Sequence, residues 1–325
     1  MLNDNQARRL VVLGTGGTIA GRATQASDNV GYVAGQVAVS DLVAMVPALA
    51  ACPLDLEQVA QINSKDMVLG VWQALATRVA VHLDRPEVAG IVITHGTDTI
   101  EETAFLLQTL LRPSKPVVLT CAMRPATALV PDGPQNLSDA VAVALHPQAC
   151  GVVVVCAGRI HGAVDVAKVH PYRTDPFDSG DAGALGCVEE ARLRLFRPWP
   201  PAVSQGTHDP AGLQRLLEAA ELPRVELMFS HAGSDGELVR ALLGHPPTSA
   251  GRLRGIVVAG TGNGTVHNDL LVALKQAQAS GIYVVVASRC MQGRVVPYAG
   301  QPLPDSAGLS PVKARLALAL QLLDA

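Results

Sequence analysis

The chain has 325 residues, of which 49% are apolar and 3% aromatic, and its formal net charge at pH 7 is -3. This length provides one large domain or two ordinary ones, and we expect two. The mildly acidic balance argues against a nucleic acid or an anionic membrane as the main partner, which leaves small molecules as the expected ligands. A core of Val, Leu, Ala and Ile is typical of parallel α/β sheets.

Short β-branched runs alternate with longer amphipathic segments through the first half of the chain. The runs predict buried strands at 9–13, 89–94, 115–120 and 151–155, with a further run leading to Ile62. The amphipathic segments predict helices at 40–50, with Ser40 as N-cap, at 66–82 and at 99–111. The last of these begins with acidic residues, which the helix dipole favours there. This β-α-β alternation predicts a mostly parallel sheet.

Residues 197–212 are rich in proline and polar side chains and show neither the helical nor the strand periodicity of apolar residues, which predicts a boundary between domains. A second α/β set follows, with strands predicted at 224–229, 254–260 and 281–288 and helices at 235–243, 267–280 and 311–323. We therefore predict a large N-terminal α/β domain over 1–200, a linker over 201–221 and a smaller C-terminal α/β domain over 222–325.

The six cysteines are scattered, with no CxxC pair and no histidine at zinc-like spacing. We expect free thiols rather than a disulfide framework or a metal site. The N-terminus passes from polar residues into the first strand without the apolar region of a signal peptide, and no apolar run reaches the length of a membrane span. The sequence therefore predicts a cytoplasmic protein.

The glycine-rich stretch VVLGTGGTIAGR at 11–22 either cradles a phosphate or presents a nucleophile. A dinucleotide fingerprint that begins at Gly14 needs a glycine where Ile19 stands. A P-loop frame places Arg22 and Ala23 where the phosphate lysine and the magnesium hydroxyl belong. The spacing therefore favours the nucleophile, with the glycines forming a tight turn at the end of the first strand.

Polar side chains follow three of the predicted strands, namely Thr18, then Ser64 and Lys65, then Thr97 and Asp98. Ligands of open parallel sheets bind outside the carboxyl ends of the strands, so we expect these clusters to converge. The alternative for Thr18 is a helix cap or a turn residue. The alternative for Ser64 and Asp98 is N-capping of the helices that follow them, which is compatible with ligand binding.

Four motifs occur in order along almost the whole chain: LGTGGTIAG at 13–21, THGTDTIEET at 94–103, AMRPATALVPDGPQNL at 122–137 and GTGNG at 260–264. Together they resemble the bacterial-type L-asparaginase family, which includes the related glutaminase-asparaginases. The resemblance implies a large N-terminal and a smaller C-terminal α/β domain. It also implies a homotetramer built as a dimer of dimers, in which the partner's C-terminal domain completes each site.

The resemblance further implies hydrolysis of a side-chain amide through an acyl-enzyme, without a metal or organic cofactor. Matching the motifs assigns Thr18 as the nucleophile and Thr97 as the second threonine. Asp98 is assigned as the carboxylate that holds the substrate's α-amino group, and Lys168 as the lysine that pairs with Thr97 and Asp98. Tyr32 is assigned as the tyrosine of the lid. A threonine hydroxyl needs a base or a hydrogen-bond partner to attack at neutral pH. Lys168 is either that base or an electrostatic organiser.

The resemblance also assigns the substrate contacts. Ser64 would hold the α-carboxylate, whereas Lys65 departs from the Gln or Glu of many relatives and either attracts that carboxylate or points into solvent. Asn263 matches an asparagine that family members send from a neighbouring subunit, but the glutamate that accompanies it is missing, because 289–310 contains no Glu. The expected substrate is L-asparagine, with weaker activity on L-glutamine.

Two other functions fit the sequence less well. The same domain occurs in a subunit of an archaeal-type amidotransferase, but such subunits carry an additional N-terminal domain, and no basic patch here suggests RNA. A catalytically silent amino-acid-binding relative is supported by the missing glutamate. Retention of both threonines, the tyrosine and the lysine argues against it, because binding alone needs no nucleophile.

Overall fold

The computed structural model describes residues 9–200, 210–244 and 251–323, and the chain divides into two compact units, Met1–Leu213 and Gln214–Ala325. The elements of the first unit are β1 (Arg9–Gly16), α1 (Val39–Ala44), β2 (Leu54–Ile62), α2 (Leu69–Leu83), β3 (Val88–Thr94), α3 (Ile100–Leu111), β4 (Val117–Thr120), α4 (Gly133–Ala144), β5 (Val152–Cys156), β6 (Arg159–Gly162), β7 (Ala167–Lys168), β8 (Phe177–Asp178), β9 (Gly186–Glu189) and β10 (Arg192–Leu195). Helix α5 (Pro210–Glu218) spans the division.

An eight-stranded sheet in the order β10-β9-β6-β5-β4-β3-β1-β2 forms the first unit. Its strands are parallel from β2 to β5, and β6, β9 and β10 extend it in antiparallel fashion. Strand β1 lies between β2 and β3, so the order reverses there, and such a reversal opens a crevice at the carboxyl ends of the strands. The predicted mostly parallel sheet is confirmed.

The core of this sheet is aliphatic. Four valines on four neighbouring strands pair directly in register and are fully buried, namely Val12, Val92, Val118 and Val153. Helix α4 packs Leu137 and Ala140 into the same cluster. Each buried valine contributes about 1.5–3 kcal/mol to the free energy of unfolding. Both faces of these strands are covered, as expected for a parallel sheet.

The second unit is a smaller α/β structure. It contains β11 (Arg224–Phe229), α6 (Glu237–Gly244), β12 (Leu253–Gly260), α7 (Asn268–Ala279), β13 (Tyr283–Ser288) and α8 (Pro311–Gln321). The three strands form a parallel sheet in the order β11-β12-β13. One cluster joins Ile256 to Leu270 and Leu274 of α7, and another joins Val257 to Leu318 of α8. Helices therefore cover both faces, and the predicted smaller α/β domain is confirmed.

Two predicted helix starts are wrong. Helix α1 begins at Val39, with Ala38 rather than Ser40 at the N-cap, because the side chain of Gln58 on β2 accepts from the Val39 backbone N–H at 2.9 Å. Helix α2 begins at Leu69, since a separate 3-10 turn occupies Ser64–Asp66.

The predicted linker at 201–221 contains helix α5 in its described part, while residues 201–209 lie outside the described residues. The domain limits of 1–200 and 222–325 stay predictions. All six cysteines are free, as expected. Among the described residues, no helix combines the length and the hydrophobicity that crossing a membrane requires.

Candidate active site

Three strand ends meet at the crevice beside β1. The turns after β1 and β3 touch so closely that a Cβ on Gly17 would lie 2.3 Å from the Cα of Gly96. A Cβ on Gly96 would in turn lie 2.4 Å from Oγ of Ser64, which follows β2. Gly17 also has a φ of +81°, which side chains rarely adopt. Glycine at these positions lets the three polar clusters converge, as the sequence predicted.

Thr18 begins a 3-10 turn directly after β1 and is 7% exposed. Its Oγ1 lies 2.5 Å from the hydroxyl oxygen of Tyr32. The N-cap of the turn is Gly17, so Thr18 is a turn residue, which was one of its alternatives, and not the cap. The nearly buried hydroxyl is instead paired with a phenol, which can accept or donate a proton.

Tyr32 is carried by the segment that follows this turn. Arg22 and Val33 exchange two backbone hydrogen bonds of 2.9 Å, which closes the segment into a loop. The backbone N–H of Ala23 donates to Oγ1 of Thr127 at 2.8 Å and fastens the loop to the segment after β4. The ring of Tyr32 lies against Gly21, where an added Cβ would approach it to 2.8 Å. The loop thus places the phenol over Thr18.

A second hydrogen-bonded group follows β3. Nζ of Lys168 donates to Oγ1 of Thr97 at 2.8 Å and to Oδ1 of Asp98 at 2.6 Å. Thr97 is 4% exposed, the lysine side chain 18% and the aspartate side chain 49%. The buried threonine and the half-buried lysine therefore lie beneath a carboxylate that faces solvent, where it is available to a substrate's ammonium group.

Ser64 joins the loops after β2 and β3. It is 2% exposed, and its Oγ accepts from the backbone N–H of Asp98 at 3.2 Å. Its carbonyl accepts from Oγ1 of Thr99 at 2.8 Å. The N-cap of α3 is Thr99 and that of α2 is Val68, so neither Asp98 nor Ser64 caps the helix that follows it.

Lys65 points away from this group. Its side chain is 62% exposed, and Nζ lies 2.8 Å from both carboxylate oxygens of Asp66. An exposed pair between neighbouring residues contributes little to stability. The lysine therefore has the solvent-facing position that was one of the two alternatives for it.

Asn263 belongs to the second compact unit. Its side-chain amide brackets the backbone of Val296: Nδ2 donates to the Val296 carbonyl at 3.0 Å, and Oδ1 accepts from the Val296 N–H at 2.7 Å. Both ends of the amide are engaged, and they hold the loop after β13 in place. A substrate-binding role for this residue stays a prediction.

A buried chain of hydrogen bonds supports the loop after β3. Trp72 Nε1–H donates to Oγ1 of Thr103 at 2.9 Å, and Thr103 lies 3.0 Å from Nε2 of His95. Nδ1 of His95 lies 2.8 Å from the carbonyl oxygen of Gly96 and must donate to it. Burial lowers the pKa of His95 to about 4, so the ring is neutral at pH 7. His95 is therefore a buried, neutral residue with both ring nitrogens hydrogen-bonded.

Sequence reasoning missed two contacts between distant residues, one of them at Lys168. The carboxylate of Glu101 accepts from the backbone N–H of Lys168 at 3.3 Å. The guanidinium of Arg124 lies 4.2 Å from the ring centroid of Tyr172 and donates to its carbonyl at 2.9 Å. The sequence explained the acidic Glu101 through the helix dipole alone. The contacts were missed because only the fold brings residues so distant in sequence together. Within the described residues, no three His, Cys, Asp or Glu side chains are grouped to hold a metal ion.

Comparison with known proteins agrees with this arrangement. Residues 9–201 match the family described as Asparaginase, N-terminal, and residues 224–324 match the Glutaminase/Asparaginase C-terminal domain. These matches cover most of the chain. The fold and the site thus define a hydrolase that acts on amide bonds. More particularly, the chain belongs to the asparaginase family.

Individual relatives are similar over nearly their full lengths. A probable periplasmic L-asparaginase of Haemophilus influenzae is 36% identical over 96% of this chain and 88% of its own. A glutaminase-asparaginase of Acinetobacter glutaminasificans is 36% identical over 96% of this chain and 94% of its own. The crystal structure of a probable cytoplasmic L-asparaginase from Campylobacter jejuni superposes with a TM-score of 0.85 at 35% identity, covering 98% of this chain and 95% of that one.

Proposed function

We propose that this protein hydrolyses the side-chain amide of L-asparagine to L-aspartate and ammonia through an acyl-enzyme on Thr18. The observation that carries the proposal is the pair of threonine hydroxyls at two converging strand ends. One is bonded to Tyr32 at 2.5 Å, and the other, Thr97, is bonded to Lys168 at 2.8 Å. The names of the relatives point to the same substrate.

In the first step, Oγ1 of Thr18 bonds to the amide carbon. Its proton passes to the hydroxyl oxygen of Tyr32, which is already within hydrogen-bond distance. The phenol gives its own proton to the departing nitrogen, so the carbon–nitrogen bond breaks and ammonia leaves. Water then adds to the ester, and the proton returns to Thr18 by the reverse route.

The second threonine is organised by Lys168. Because Oγ1 of Thr97 accepts from the lysine Nζ, its own proton is free to be donated to the substrate or to the attacking water. Lys168 thus acts through Thr97 as an organiser, and its second bond, to Asp98, fixes it there. Asp98 remains exposed enough to accept the substrate's α-amino group.

The developing oxyanion needs a preorganised donor. The carbonyl of Gly96 accepts from His95, and in a trans peptide the N–H of Thr97 points the opposite way, away from the imidazole. We assign this N–H to the oxyanion.

Ser64 would orient the substrate's α-carboxylate, and Lys65 would add long-range attraction for that carboxylate from its solvent-facing position. Asn263 of a second copy would contribute to the site for the α-amino group.

The function is tested by ammonia release from L-asparagine and L-glutamine over a millimolar range. We expect kcat/KM to favour asparagine by at least about tenfold, or about 1.4 kcal/mol of transition-state binding. Thr18→Ala should abolish release. Thr77→Ala, which removes an exposed hydroxyl from helix α2, is the matched control and should keep full activity.

Absence of turnover in the folded wild-type protein would contradict the proposal. It would favour a catalytically silent amino-acid-binding relative, because the companion glutamate of Asn263 is missing from the chain. Calorimetric titration with L-aspartate would then identify binding without chemistry.

We further propose a homotetramer arranged as a dimer of dimers, located in the cytoplasm. The relatives' names include both a cytoplasmic and a periplasmic enzyme, and the cytoplasmic one supports the proposed location. Sedimentation at micromolar concentration should give about four times the chain mass of 33.8 kDa.

A further inference from the structure

Lys168 lies on a strand that is weakly held by its own pairing. Strand β7 has two residues and forms a two-stranded antiparallel ribbon with β8, separate from the main sheet. The next contacts along the ribbon are backbone bonds from Val169 and His170 to the carbonyl of Pro176, at 2.8 and 3.2 Å. Such short ribbons are marginally stable alone, and a lysine side chain has many rotamers. Keeping Nζ at Thr97 therefore requires a further anchor.

Glu101 provides that anchor. Its Oε1 accepts from the Lys168 backbone N–H at 3.3 Å, across 67 residues of sequence. Glu101 stands in the first turn of α3, and Thr97 and Asp98 immediately precede that helix. One short segment thus holds both ends of the lysine, the backbone through Glu101 and the ammonium through Thr97 and Asp98.

The segment that provides this double contact is itself rigid. Ile100 and Ala104 of α3 are fully buried, as is Leu107 on the following turn. Thr99 donates to the carbonyl of Ser64, which ties the helix start to the loop after β2. Because this rigid segment holds the lysine at both its backbone and its ammonium group, the position of the ammonium is fixed.

We propose that Glu101 is a positioning residue for amide hydrolysis, which sets the distance from the Lys168 ammonium to Thr97 and Asp98. The proposal rests on the function proposed above. What the position requires is an acceptor for the Lys168 N–H. A glutamine side-chain oxygen meets that requirement, whereas alanine does not.

The kinetic test compares Glu101→Ala and Glu101→Gln with the wild type. Misplacement of a catalytic group costs up to about 100-fold, so we expect kcat for asparagine to fall at least about tenfold in Glu101→Ala, with KM within about threefold. Glu101→Gln should restore kcat to within about threefold of wild type. Glu102→Ala removes an equal charge from the same helix turn and should leave kcat unchanged.

A chemical test follows the lysine itself, without relying on turnover. Lysines are acetylated with limiting acetic anhydride and quantified by mass spectrometry, with the exposed Lys65 as internal reference. Release of Lys168 from its hydrogen bonds should raise its acetylation relative to Lys65 by about threefold or more in Glu101→Ala and not in Glu101→Gln. Melting temperatures of all variants show whether each is folded.

The outcomes separate this proposal from the function on which it rests. A wild type that releases no ammonia contradicts the proposed function, and the acetylation ratios then decide the role of Glu101. An active wild type with unchanged kcat and unchanged Lys168 acetylation in Glu101→Ala overturns the positioning role. Equal loss of kcat in Glu101→Gln and Glu101→Ala also overturns it, because charge rather than acceptance would then be required.

Discussion

Among single residues, Tyr32 relays the protons of the proposed chemistry, because its hydroxyl is hydrogen-bonded to that of the nucleophile Thr18. Tyr32→Phe keeps the ring that packs on Gly21 and removes the hydroxyl alone. We expect kcat for asparagine to fall at least about 100-fold, the range lost with a general acid-base group. Steady-state ammonia release at saturating asparagine measures the change.

The control for this prediction is Tyr172→Phe. That ring is 48% exposed and stacks on Arg124, so removing its hydroxyl should leave kcat unchanged. An active Tyr32→Phe enzyme would mean that another group, such as a water molecule, takes the proton from Thr18.

The residues of the site differ in how far sequence could predict them. Thr18, Ser64, Thr97 and Asp98 follow strands, so the rule that parallel strands end at one edge was enough to bring them together. Lys168 and Tyr32 follow none of the strands predicted from the sequence and were assigned through the resemblance alone. Glu101 was missed because an acidic residue in a first helical turn has a sufficient local explanation in the helix dipole.

At the level of elements, the contact between the turns after β1 and β3 is the most sensitive to change. Gly17→Ala would place a Cβ 2.3 Å from backbone of the opposite turn at a φ of +81°. The two strand ends must separate, so we expect activity to fall more than about tenfold and the free energy of unfolding to fall by about 2 kcal/mol or more. Urea unfolding and ammonia release measure both effects.

Gly70→Ala is the matched control for that substitution. Gly70 lies in the first turn of α2, and nothing stands within 4 Å of its missing Cβ. Alanine should raise the free energy of unfolding by about 0.5–1 kcal/mol and leave turnover unchanged. A Gly17→Ala protein as stable and active as this control would show that the two turns are free to move apart.

Elements with strong periodicity were predicted from sequence, and those determined by distant partners were not. The strands at β1, β3, β4 and β5 were expected within a few residues of their observed bounds. The antiparallel strands β6, β9 and β10 were missed because their sequences, RIHG, GCVE and RLRL, contain no run of β-branched residues. The start of α1 depends on a side chain of β2, which no local pattern reveals.

For the molecule as a whole, the buried histidines His95 and His161 make stability depend on pH between about 4 and 6.5. Burial lowers the pKa of His95 and of His161 to about 4. An unfolded histidine titrates near 6.5, so the unfolded chain binds more protons between these values. Stability is therefore fully present above pH 6.5 and decreases as the pH falls toward 4. Each histidine accounts for a loss of about 3 kcal/mol over that interval.

Urea unfolding at pH 7, 5.5 and 4.5, at one protein concentration, measures this loss. In His161→Gln the slope should be smaller, since one of the two protonations is removed, whereas replacement of the exposed His231 by Gln should leave it unchanged. Identical slopes in all three proteins would mean that His161 is charged in the folded state.

The position of the tryptophans, of which Trp72 donates to Thr103 beside the site, has a spectroscopic consequence. The chain contains two tryptophans, Trp72 and Trp199, and both precede Leu213. Ultraviolet emission excited at the indole band therefore originates in the first compact unit, whereas far-ultraviolet ellipticity sums the helices of both. Recording the two signals during one denaturation distinguishes the unfolding of the first compact unit, which contains Thr18 and Thr97, from the unfolding of the second, with no added dye.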